Sequence, residues 1–161
     1  MAENQGSWFQ GAAHTARDDR YVIECMADGL GAKYSTDCVA SFLTGMKSQV
    51  APGHLMLLHI SPLSGVYHGY NDAAVELTHE AADGTDREDL IVAEVIDAQY
   101  DGGVLNEWHF RIVKGSTGAY PNPPALPNNC IPIASVRIPG SAVVLSSGYY
   151  TDRRWFYASH G

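Results

Sequence analysis

The spacing of apolar positions changes period about thirty residues into the chain. In the stretch HTARDDRYVIECMADG, Val22, Cys25 and Met26 fall on one helical face. A helix is predicted over about Ala16 to Ala27, within a segment 14–28. Thr15 and Asp18 form a capping pair at its start and Gly29 is its stop. From Cys38 onward the period is that of strands. CVASFLT alternates, HLMLLHI is a compact apolar run bounded by Pro52-Gly53 and Pro62, and GVYHGY and AAVELT alternate on either side of Asn71-Asp72, which predicts a hairpin. DLIVAEVID is apolar on both faces, as a central strand is. EWHFRIV points Trp108, Phe110 and Ile112 inward and Glu107, His109 and Arg111 outward. After the proline-stiffened connector YPNPPALPNN comes IPIASVRIP, where Pro132 argues for a sheet edge.

These elements predict a mainly β fold, a β-sandwich or barrel-like domain with one N-terminal α-helix and extended termini. The 161 residues are enough for a single domain 1–161. Its parts are an aromatic arm (1–13), the helix (14–28), a β-domain (37–139) and a docking segment (140–161). No internal repeat is present, and no apolar run reaches the roughly 20 residues that cross a bilayer, so no membrane partner is expected. The N-terminus has neither the basic start nor the apolar stretch of a secretory signal.

Charge changes this picture in one respect. The net charge is −8, but ten acidic residues stand against one arginine between Asp72 and Asp101, whereas from Gly102 onward five basic residues face two acidic ones. A broad basic face for nucleic acid is excluded. The asymmetry suggests parts of the molecule meeting one another, within a subunit or between subunits.

Catalytic and metal chemistry find little support. Cys25, Cys38 and Cys130 are an odd set without CxxC spacing, so they read as buried thiols. The seven histidines include no HExxH, and the same-strand neighbours of His68 are Val66 and Tyr70, so no metal site is expected. The acidic stretch 83–89 lacks the order of a calcium loop. Ser61, Ser64 and His68 form no GxSxG elbow, and there is no P-loop or GxGxxG. Neither enzyme activity nor a cofactor is expected.

The ending TDRRWFY is different. Arginines beside flat rings have the composition of interface hot spots. Partner docking is assigned to Trp8 and Phe9 at one end and to Tyr149, Tyr150, Asp152, Arg153, Arg154, Trp155, Phe156 and Tyr157 at the other. Arg153 and Arg154 have two alternatives, the acidic 72–101 region of the same chain or a neighbouring subunit. Deleting Tyr149 to Gly161 is expected to abolish docking while leaving the domain folded.

The succession DREDLIVAEVIDAQYDGG, PPALPNNCIPIASVRIP and TDRR resembles small structural proteins of tailed bacteriophages, the minor tail proteins and N-terminal attachment domains of tail fibres. The match falls on Arg87, Asp89 and the strand from Leu90 to Ile96, on Asp97, Tyr100, Asp101 and Gly102, on Pro124 to Pro139, and on Thr151, Asp152 and Arg153. GAAHTARDDR resembles the family's opening helix. Glu94 departs from the pattern, which more often carries Arg there. The resemblance implies a non-catalytic adaptor of a phage tail, baseplate or fibre base. Its partners would be other virion proteins and copies of itself, and it would be located in the virion after assembly in the host cytoplasm. The alternatives are a carbohydrate or host-receptor module, with Tyr149, Tyr150 and Trp155 stacking a glycan, and a capsid decoration protein. A cell-wall hydrolase ranks last.

Overall fold

The computed structural model describes residues 27–28, 30–59, 65–156 and 158–159. Trp8, Phe9, Cys25, Tyr157 and all but the last residue of the helix predicted over about Ala16 to Ala27 lie outside them. Where that helix was expected to end, Ala27–Asp28 is instead a two-residue strand, β1, paired antiparallel with β12 (Ala158–Ser159). Residues 27–28 and 158–159 thus satisfy each other's backbone groups, and a pairing of that kind overrides helix propensity at Ala27.

The described chain is mainly β and antiparallel. The largest sheet has four strands in the order β11 (Tyr150–Asp152), β10 (Cys130–Ile138), β8 (Arg87–Asp97) and β9 (Asn106–Val113). A three-stranded sheet joins β2 (Gly31–Ala32), β5 (Gly53–Leu58) and β6 (Val66–Asn71), and another joins β3 (Ala40–Phe42), β4 (Lys47–Val50) and β7 (Val75–Thr78). One helical turn, α1 (Ala98–Asp101), links β8 to β9, capped by the Asp97 carboxylate on the Gln99 amide.

Two expectations need correction. β6 and β7 do not form a hairpin, because β6 pairs with β5 and β7 with β4. Asn71-Asp72 turns the chain from one sheet into the other. The Asn71 side chain fixes the crossing by donating to the carbonyls of Ala51 and Ala73, and Ala51 lies where β4 crosses over to β5. The second correction concerns β10, which is an interior strand between β11 and β8. Pro132 is tolerated because β11 pairs only with Ala134, Ser135 and Val136. At the level of Pro132 the register with β8 also shifts, so its missing N–H falls at a local edge.

The core follows from β8, whose middle is buried on both faces. Ile91, Ala93 and Val95 join Val50, Leu55, Leu57, Phe110, Ile131 and Ile133 in the main core. Leu90 and Val92 pack with Cys130 and Val113 on the other face. Each such Leu or Ile contributes about 1.5–3 kcal/mol by leaving water. Trp108 and Ile112 are only half-buried against this core, with Phe110 between them on the same face of β9. The Trp108 indole meets Phe110 edge-on at 5.3 Å. It lies so close to β6 that a side chain on Gly69 would stand 2.9 Å from the ring. Arg111 and Glu94 form a two-pronged pair across β8 and β9, at 2.6 and 3.0 Å. Arg111 stands opposite Val92, so it reaches Glu94 on the diagonal across the two strands.

Candidate functional site

The closing segment is built outward from β10. After β11, Arg153 N–H still bonds to the Ile133 carbonyl at 3.0 Å, and the chain then leaves the four-stranded sheet for β2. Ala32 N–H donates to the Trp155 carbonyl at 2.8 Å, and Phe156 bridges Ala32 in parallel. This approach requires Gly31, which has φ of 116°, because a Cβ there would lie 2.1 Å from the Trp155 carbonyl oxygen.

Arg154 rivets the crossing. Its guanidinium grips Asp152 at 2.6 and 3.0 Å and donates to the carbonyls of Ser35 and Asp37 at 2.9 and 2.6 Å, with the Phe156 ring 5.2 Å away. These hydrogen bonds hold the Asp152 carboxyl below its usual range, against the opposing effect of burial. Neither arginine reaches the acidic region 72–101 among the described residues: Arg154 stays with Asp152 and the 35–37 turn, and Arg153 touches Ser135 at 3.2 Å.

The predicted docking residues therefore separate into groups. Tyr149 and Tyr150 are half-buried against the core of their own chain. Asp152 and Arg154 are engaged with each other. Arg153, Trp155 and Phe156 are exposed, and Trp155 borders a recess of about 230 Å³ with Leu30, Leu58 and His59.

Behind Tyr150 runs a chain of polar groups that sequence reasoning missed. Tyr150 Oη lies 2.5 Å from Ser48 Oγ, Ser48 Oγ 2.7 Å from His79 Nε2, and His79 Nδ1 2.8 Å from Asp89. The Asp89 carboxylate can only accept, so His79 donates to it from Nδ1. In the tautomer that carries its proton on Nδ1, Nε2 accepts from Ser48, which in turn accepts from Tyr150. Asp89 is also bonded by Arg87 Nε at 3.0 Å and Gly115 N–H at 3.1 Å. Arg87, with no exposed surface, spends its remaining donors on the carbonyls of Glu80 and Ala81. Burial alone would push the Asp89 carboxyl up, but the bonds from His79, Arg87 and Gly115 outweigh it and hold the group below its usual range. Burial also raises the Tyr150 phenol, only partly offset by Ser48. The order Ser–His–Asp is that of a nucleophile with its base and orienting acid. Ser48, however, is fully buried beneath Tyr150, and the array joins β4, β8, β11 and the residue that follows β7 from inside.

Two further features lie on the outer surface. A cleft of about 560 Å³ is bordered by Tyr67, His68, Asp97, Gln99, Glu107 and Trp108. The Tyr67 hydroxyl donates to Asp97 at 2.6 Å. At the edge of this cleft His68 meets His54 across the strand pair, with Nε2 to Nδ1 at 2.9 Å. Same-strand reasoning considered Val66 and Tyr70 as neighbours of His68. The register that sets β5 against β6 supplies the neighbour it left out.

The thiols of Cys38 and Cys130 are buried and pushed up to about 12 and about 11, first by desolvation. No family model, no curated protein and no solved structure matches the chain.

Proposed function

We propose that this chain is a non-catalytic structural component of a phage particle, an adaptor of the tail, baseplate or fibre base that docks through its closing segment. One observation carries the proposal. β11 is the edge strand of the largest sheet, and it runs directly into exposed Arg153, Trp155 and Phe156 while its other side is fastened to the interior. An edge strand followed by an arginine and two rings is suited to receiving a partner strand or surface. Supporting this reading, Arg87 and Asp89, two residues of the phage-type pattern, form the buried centre of the network behind that strand. A sandwich-like stacking of the sheets fits the same role, since it would hold the edge on a rigid block.

The experiment is immunogold labelling of phage particles assembled in cells expressing this chain, together with an Arg153→Glu/Trp155→Ala double variant. Label at the tail that is lost in the variant supports the adaptor. Label on the head would turn the reading to capsid decoration, and no label on intact or disrupted particles would overturn both. Deleting Tyr149 to Gly161 is a poor substitute, because it removes β11, the Ser48 partner and the Arg154 rivet along with the docking face.

A second reading, a saccharide-binding module, is favoured by the cleft that Trp108 and Tyr67 share with Asp97 and Glu107, rather than by the closing aromatics. Its volume lies in the range of small-molecule sites. A glycan array without a Trp108-dependent signal would remove it.

A further inference from the structure

His54 and His68 are held on one outward face by two paired strands. The register sets His54 opposite Tyr70 and Met56 opposite His68. The two imidazoles are nearly parallel, 13° apart, and Tyr70 packs on the outer ring of His54 at 4.6 Å. Their facing nitrogens are 2.9 Å apart. Two imidazole nitrogens bound at right angles, each about 2.0 Å from a metal ion, stand about 2.8 Å from one another. His68 is exposed, so an ion reaches the pair without disturbing the core.

The donor set identifies the ion. No third His, Cys, Asp or Glu joins the pair among the described residues. A hard ion that needs oxygen ligands is therefore poorly served. Met56, two residues from His54 on β5 and opposite His68, brings a thioether to the same face. Imidazole with thioether is a copper set, and divalent copper also heads the affinity order for nitrogen sites.

We infer that His54 and His68 chelate a copper ion on the outer face of β5 and β6, with Met56 beside them as a soft third donor and water in the remaining positions.

The test is a calorimetric titration of the full, untagged chain with CuCl2 and, separately, ZnCl2. The expected result is one copper ion per chain, with affinity weakened at least about tenfold in His54→Ala and in His68→Ala and unchanged in His109→Ala. All three substitutions are at half-buried or exposed positions, and far-ultraviolet circular dichroism checks that each variant is folded. Absence of saturable binding up to about 0.1 mM copper would overturn the inference. So would binding that both histidine variants retain, which would point to other histidines, and so would a preference for zinc.

Discussion

His68 lies on β6 and His79 directly follows β7, and their surroundings give the two imidazoles opposite roles. His79 is 2% exposed and has both nitrogens committed, one to Asp89 and one to Ser48. His68 is exposed, and its recorded nitrogen partner is another imidazole. In the interior each polar group must find its partner within the chain, so a histidine there completes a network that fixes how strands meet. On the surface water can replace any partner, so a pair of histidines costs little to hold and stays open to a ligand. The buried cluster therefore has the residue order of catalytic machinery, while its hydrogen bonds tie the strands together from inside. The open pair, which sequence spacing passed over, is the one with accessible chemistry.

The most forceful way to test this contrast is to remove one member from each cluster. Asp89→Ala leaves Arg87 as an uncompensated charge with no exposed surface, and should destabilise the fold by about 3–5 kcal/mol. His68→Ala should stay within about 0.5 kcal/mol, as exposed substitutions do. Urea unfolding at neutral pH measures both. Equal effects would mean that the buried chain is not a fastening.

Acid probes the same carboxylate without mutation. The folded Asp89 carboxyl is held below the value of about 3.9 that it has in an unfolded chain. Its contribution is therefore complete above that value and is lost as pH falls through the lower folded value. The urea midpoint should fall slightly between pH 7 and about pH 5, as the lowered proton affinity of folded His68 requires, and drop below about pH 4, more steeply in the wild type than in Asp89→Asn. Asp86, Asp101 and Asp152 are also lowered and shift the curve in the same sense. They are common to both proteins, so the difference between the two curves isolates Asp89.

The contrast also explains what could be read from the sequence. DLIVAEVID was legible as a central strand because both of its faces are apolar, and EWHFRIV as a strand because it alternates. Such signals are local to one strand. The partner of each strand is not, so β6 and β7 looked like a hairpin although Asn71 sends them to different sheets. Pro132 suggested an edge because the sequence does not say how far along β10 its second neighbour extends. The Ser48–His79–Asp89 array is spread over more than forty residues, on two strands and the residue after a third, so no spacing rule reaches it. The only trace in sequence was the Arg87 and Asp89 pair, two residues apart on one face of a strand. In the closing segment the residue types were legible, but their division was not. Arg153 and Arg154 are adjacent and alike, yet opposite directions along the backbone give one to solvent and the other to the carbonyls of Ser35 and Asp37.

A smaller effect tests whether β11, the proposed docking strand, is tied to the interior. Tyr150→Phe removes the phenol that caps the polar chain. Ser48 keeps His79 as a partner, so no buried group is orphaned and the cost should be about 1 kcal/mol. Tyr70→Phe, at an exposed phenol on β6, should leave urea unfolding unchanged. Should both be silent, β11 would be held by its backbone ladder alone, and the link between docking surface and core would fail.

The finest comparison is between the two open rings themselves. Burial lowers the proton affinity of His68 and the neighbouring His54 lowers it further, since two imidazolium ions at this separation repel. Replacing His54 with Ala removes the second cause and leaves the first. The His68 titration, followed by NMR through its Cε1 proton, should therefore move upward toward the ordinary value of about 6.5 without reaching it. A full return would assign the whole depression to the neighbouring ring and none to burial. No movement would mean that the 2.9 Å contact carries no electrostatic coupling, and the two histidines would then be neighbours by packing alone.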